Sequence, residues 1–192
     1  MSDNGANRTE NVFSGSRWIW YGTPCVTVVN AMMQARRRFT LEKKPRKALV
    51  RVTADARYRL YVNGTPVCRG PARGFQSSWP YDEVDIAPHL RTGKNVIAAQ
   101  VHSLGISNFQ YLHTGWAGFI LAGKAGRVEL ATGPEWKVRK APGHRQVQAR
   151  LAAQMGFQEF FDARQDDGRW VQVSFNDGDW LRPSCFPSGQ LP

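Results

Sequence analysis

The sequence predicts an all-β protein, a jelly-roll β-sandwich, on three observations. Short runs of alternating apolar and polar side chains recur along the chain with turn signals between them, as in sandwiches and jelly rolls. Two such runs meet at Asn63-Gly64 in RYRLYVNGTPV, and Asn-Gly supplies the two positive φ angles of a type I′ hairpin turn. No stretch of any length keeps a helical period.

The elements follow in order. Residues 1–16 are polar and are expected to form a disordered tail. Structure starts near Arg17-Trp18-Ile19-Trp20-Tyr21. Ala35 to Leu41 and Ala48 to Ala54 read as strands, joined by the charged, proline-bearing loop Glu42 to Lys47. In the next strand Tyr58, Leu60 and Val62 share one face, and Arg57, Arg59 and Tyr61 the other. Gly70 to Pro80, GPARGFQSSWP, is longer than a usual hairpin connection and is therefore a candidate functional loop. Strands are expected over Tyr81 to Ile86, Val96 to His102, Trp116 to Ala122, Arg127 to Ala131 and Trp136 to Arg139. Leu151 to Arg164 fits either a strand or a short helix, with Gly156 against a long one, and FNDGDW, Phe175 to Trp180, reads as a turn with an aromatic anchor. The domain is thus expected to span 17–180, with 181–192 an irregular tail.

A chain of 192 residues can enclose one core that buries roughly 70% of its extended surface. Seven tryptophans and 42% apolar residues argue against a disordered chain. Cys25, Cys68 and Cys185 are widely spaced, without a CxxC or Cys/His cluster, and read as reduced thiols. The N-terminus lacks an apolar signal core and no stretch approaches the roughly 20 apolar residues of a membrane span, so a cytoplasmic chain with no membrane partner is expected. The net charge of +11 raises the question of polyanions. Between Arg36 and Arg51 lie eight basic residues against Glu42 alone, but only Phe39 interrupts them, whereas nucleic-acid binding wants interleaved aromatics. A solvated strand pair with basic residues on its edge explains the run as well.

No constellation carries catalysis. Asp82 and Glu83 are adjacent and so face opposite sides of a strand, while Asp166-Asp167 and Asp177-Asp179 lie in turns where aspartate bonds its own backbone. The four histidines show no metal spacing, and no nucleophile elbow, phosphate loop or cofactor motif is present. Trp79, Tyr81, Tyr111 and Trp116 fall in or beside loops, where an aromatic ring can either stack on a sugar or cap the end of a sandwich; Arg73 can donate to hydroxyls or a carboxylate nearby. His102 ends a core strand, as a sugar contact or as a satisfied structural histidine.

These residues carry a resemblance. Ala54 to Gly105, with its VNG turn, GPAR loop, WPYDEVD strand and GKNVIAAQVH strand in that order, resembles the N-terminal β-sandwich module of bacterial α-L-rhamnosidases, and the likeness extends over roughly Trp18 to Trp180. The resemblance implies a galactose-binding-like jelly roll accessory to a glycoside hydrolase, whose catalytic barrel is a separate domain. It implies no cofactor, no hydrolase activity in this chain, and two partners: a carbohydrate, including a rhamnose-containing glycan, and the catalytic domain. Matching positions with evident turn roles are Asn63, Gly64 and Asn95; those implied in contact with sugar or catalytic domain are Arg73, Trp79, Tyr81 and His102. After Trp180 the likeness fades, and LRPSCFPSGQLP does not read as a connection to a following domain. The alternatives are a basic sandwich that binds polyanions through Arg36 to Arg51, and a chain whose apolar patch serves mainly as an interaction surface.

Overall fold

The computed structural model describes residues 12–23, 29–75, 78–147, 149–166 and 168–188. Among the described residues, eleven strands form two antiparallel sheets. They are β1 (Arg17–Trp20), β2 (Ala31–Leu41), β3 (Leu49–Asp55), β4 (Arg57–Val62), β5 (Thr65–Gly70), β6 (Asp82–Asp85), β7 (Gly93–Ser103), β8 (Gly118–Ala125), β9 (Val128–Glu129), β10 (Lys137–Lys140) and β11 (Ser184–Pro187). One sheet runs β11-β1-β8-β3-β6, with β9 added to β8, and the other runs β10-β2-β7-β4-β5. Two single-turn 3-10 segments, Ala87–His89 and Arg169–Val171, are the helical elements among the described residues. None of the helices there is long and apolar enough to cross a membrane.

Period-two alternation decides which side chains point into the core, most plainly in β4. In β4, Tyr58, Leu60 and Val62 point into the core while Arg57 and Arg59 stay exposed. In β7, Ile97, Ala99 and Val101 point in, against Val52 and Ala54 of β3 and Phe119 of β8 in the same cluster. Asn63 and Gly64 take φ of 50° and 87°, the two left-handed conformations that the hairpin requires.

Three stretches differ from the sequence-based expectation. Residues 181–192 are not simply an irregular tail: Ser184–Pro187 is β11, which pairs antiparallel with β1 and turns Phe186 inward to 6% exposure. The reason is the free edge of β1, whose Trp18, Ile19 and Trp20 are buried and leave a ladder to be completed. The expected disorder of 1–16 fails at its C-terminal end, because Phe13 packs its ring edge-on to Tyr81 and Ser16 Oγ donates to the Leu121 carbonyl. Residues 1–11, and Cys25, lie outside the described residues; Cys68 and Cys185 are free thiols. Leu151 to Arg164 is neither strand nor helix but turns and irregular chain, folded back on residues 143–149 by a bridge between His144 and Phe161 and by backbone bonds beside it.

This last region belongs to a strap, residues 141–181, laid across the outer face of the second sheet. A small second apolar cluster of Ala98, Trp170, Val171 and Trp180 holds it there. Polar bonds fasten it further. Arg36 is fully buried beneath the strap and donates to the Asp177 carboxylate at 2.6 Å and to the carbonyls of Gln172 and Phe175. Arg38 and Lys137 also reach Asp177, and the Arg139 guanidinium lies over the Trp180 ring at 4.5 Å. Burial pulls the Arg36 guanidinium below its usual range, and Asp177 works against that shift. Much of the basic run is therefore not a free cationic stripe. Arg36 and Arg38 are spent on Asp177, Arg51 pairs with Glu83, and Lys44 donates to the Pro88 carbonyl.

Candidate functional site

Outward-facing residues of β2, β7, β4 and β5 make the floor of a groove of about 1070 Å³ on the face that the strap only partly covers. Strand register sets its chemistry. Arg57 lies opposite His102 and Arg59 opposite Gln100 across the β4–β7 ladder, and Arg59 lies opposite Arg69 across β4–β5. Pro71, Ala72 and Arg73 form one wall, and the strap residues His144, Glu159, Phe161, Asp166 and Trp170 form the other.

Hydrogen bonds fix the floor. Asn30 donates its amide to the Val147 carbonyl at 2.6 Å, which leaves its Oδ1 to accept the His102 Nε2–H at 2.9 Å. Burial, and then the field of Arg57, push His102 down to about 4, so it is a neutral imidazole at physiological pH. Tyr58 donates its hydroxyl to Asp82 and also contacts the Cys68 sulfur at 3.7 Å. Burial raises both the phenol and the thiol, so both stay protonated.

The carboxylates of the walls are all engaged. Asp82 accepts from Tyr58, Asp166 accepts from the Gln34 amide, and Glu159 accepts from His144 Nε2 at 3.1 Å. Phe161 remains 50% exposed, its ring 4.8 Å from that of His144, and offers a flat apolar face to the groove. Among the described residues, no group of three or more His, Cys, Asp or Glu could hold a metal ion.

Of the residues picked from sequence, Arg73 and His102 line the groove. Arg73, Trp79 and Tyr111 meet around a smaller adjoining pocket of about 50 Å³. Trp79 is half-buried there and donates its indole N–H to Thr53 Oγ1, while Arg73 donates to Gln110. Tyr81 and Trp116 line neither; they pack on Phe13 and Phe186, at 5.9 Å in each case. Sequence reasoning missed Arg57, Arg59 and Arg69, although the alternation in RYRLYV already set the first two on the face away from the core. Phe161 and Glu159 had no local signal, since the strap that delivers them lacks periodic structure.

The profile of the Alpha-L-rhamnosidase N-terminal domain matches residues 43–190. The chain belongs to this family. The rhamnosidase N-terminal domain formed here is 36% identical to part of a crystallised GH78 family rhamnosidase of Bacillus sp. GL1, at a TM-score of 0.85, over 93% of this chain and 19% of that one. An alpha-L-rhamnosidase of Streptomyces avermitilis is 27% identical over 127 residues, which is 64% of this chain and 12% of the relative. The domain therefore spans about a fifth or less of the length of these enzymes. A lectin of Pleurotus ostreatus, solved in complex with GalNAc, shares the fold at a TM-score of 0.60 and 18% identity over 91% of this chain and 44% of its own.

Proposed function

We propose that this rhamnosidase N-terminal domain is a non-catalytic carbohydrate-recognition module of an alpha-L-rhamnosidase-type glycoside hydrolase, and that its outer groove holds a segment of a rhamnose-containing glycan. The observation that carries this reading is the composition of the groove. It combines guanidinium and amide donors, which suit sugar hydroxyls, with the exposed face of Phe161, which suits the apolar side of a pyranose ring. Donors around an aromatic platform are what a polyhydroxylated ligand asks for.

Hydrolysis is not part of the proposal. Glycosidic cleavage needs one carboxylic acid with a free O–H aimed at the leaving oxygen and a second carboxylate across the bond. Asp82 and Asp166 instead accept hydrogen bonds from Tyr58 and Gln34, and Glu159 is tied to His144.

The test is calorimetric titration of the whole chain with rhamnose-containing oligosaccharides. Saturable binding that Phe161→Ala weakens several-fold, with the unfolding midpoint unchanged, is expected. Absence of binding to any glycan, or indifference to Phe161→Ala, argues against the groove as the site. The same preparation should release no rhamnose from an aryl rhamnoside above a heat-denatured control. Release abolished by Glu159→Gln would show that the module is catalytic after all.

A further inference from the structure

The groove floor concentrates positive charge without answering it. Arg59 and Arg69 are direct cross-strand partners, an arrangement that costs stability when both are charged and nothing lies between them. Arg57 sits two residues along the same face. Among the described residues no carboxylate pairs with Arg57, Arg59 or Arg69. The acids that line the groove are engaged elsewhere, and Arg73 donates to the neutral Gln110 amide. After burial, the field of Arg57 is the next largest influence holding His102 neutral, so the histidine adds no charge to this surface and reports its sign. Each guanidinium presents a planar fork that matches a carboxylate with two parallel hydrogen bonds.

Building on the reading that the groove holds a glycan, we propose that the glycan is acidic: a uronate-bearing oligosaccharide whose carboxylates are received by Arg57, Arg59 and Arg69. A densely charged polyanion fits less well, because Glu159, Asp166 and Asp82 stand on the walls and would repel closely spaced phosphates. A chain in which charged and neutral rings alternate can set its carboxylates on the arginine floor and its uncharged rings beside Phe161. Nucleic acid would also want several stacking platforms along a continuous basic track, and that pattern is not found here.

The experiment titrates the whole chain with four probes: trigalacturonate, its methyl ester, a neutral rhamnose-containing oligosaccharide and a single-stranded oligonucleotide. It is repeated with Arg59→Gln and Arg69→Gln, both exposed positions, with the unfolding midpoint of each variant as a folding control. Trigalacturonate should bind about tenfold or more tighter than its ester, and each arginine change should cost about tenfold for the acid but only the smaller loss of a hydroxyl contact, about twofold to threefold, for the neutral glycan. Equal affinity for acid and ester, or arginine variants without effect, overturns the acidic preference and leaves the glycan reading standing. Tighter binding of the oligonucleotide through the same arginines overturns it in favour of nucleic acid. Failure of every saccharide to bind removes both.

Discussion

At the scale of single residues, His102 shows how position changes chemistry. The same imidazole on a surface loop would titrate near 6.5, but burial, and then the field of Arg57, hold it down to about 4. The unfolded chain therefore binds a proton between these two values that the folded chain refuses. Stability is intact above about pH 6.5, is lost as the pH falls towards 4, and levels off below it. The full loss from this one group amounts to about 3 kcal/mol. Asp85 and Asp162, which accept backbone and arginine hydrogen bonds, are held below the ordinary carboxylate range and so lose their contribution only at lower pH. His102→Gln keeps a donor for Asn30 without a titrating group. Urea unfolding as a function of pH should show the wild-type midpoint falling between pH 6.5 and 4 and a visibly flatter profile in the variant. Parallel profiles would mean that His102 is not the group responsible.

At the scale of elements, the strap shows both the reach and the limit of sequence reading. Strands β3 and β4 were legible because they alternate, β7 and β8 because each carries a short apolar run bounded by turn signals, and Asn63-Gly64 fixes the turn between β4 and β5. The strap was not, since residues 141–181 carry no period and owe their course to the surface they lie on. Asp177 read as a turn residue bonded to its own backbone; in the fold it is 2% exposed and answers Arg36, Arg38 and Lys137. Nothing local announces a partner that lies 141 residues away in the chain. For the same reason the groove was only half legible, with its floor encoded in strand alternation and its far wall delivered by the strap. Asp177→Asn leaves the fully buried Arg36 without its counter-charge, a change that costs about 3–5 kcal/mol when a buried pair is broken from one side. Urea unfolding should show that loss, and limited proteolysis should cut first between 141 and 181. A loss below about 1 kcal/mol would place the strap's anchorage in the Trp170–Trp180 cluster instead.

At the scale of the whole molecule, the two sheets divide the labour, and the division can be measured. The first sheet is completed at its edge by β11, which pairs with β1, so the integrity of the sandwich depends on a contact between residues far apart in sequence. Phe186 is the apolar anchor of that contact: it packs against Trp116, while Trp18 donates its indole N–H to the Ser188 carbonyl at 3.2 Å. The second sheet carries the groove on its outer face, with the core between it and β11. Substitutions at separate, unconnected sites act nearly independently. Phe186→Ala should therefore cost about 3 kcal/mol of stability, as large-to-small changes at buried aromatics do, and leave the glycan affinity of the folded protein untouched. Arg59→Gln should do the reverse. Guanidinium unfolding and calorimetric binding on the two single variants and the double variant decide the matter. If the double variant loses more affinity than Arg59→Gln alone while still folded, the β1–β11 edge and the groove are coupled through the core, and the module is one mechanical unit rather than a scaffold with a site laid upon it.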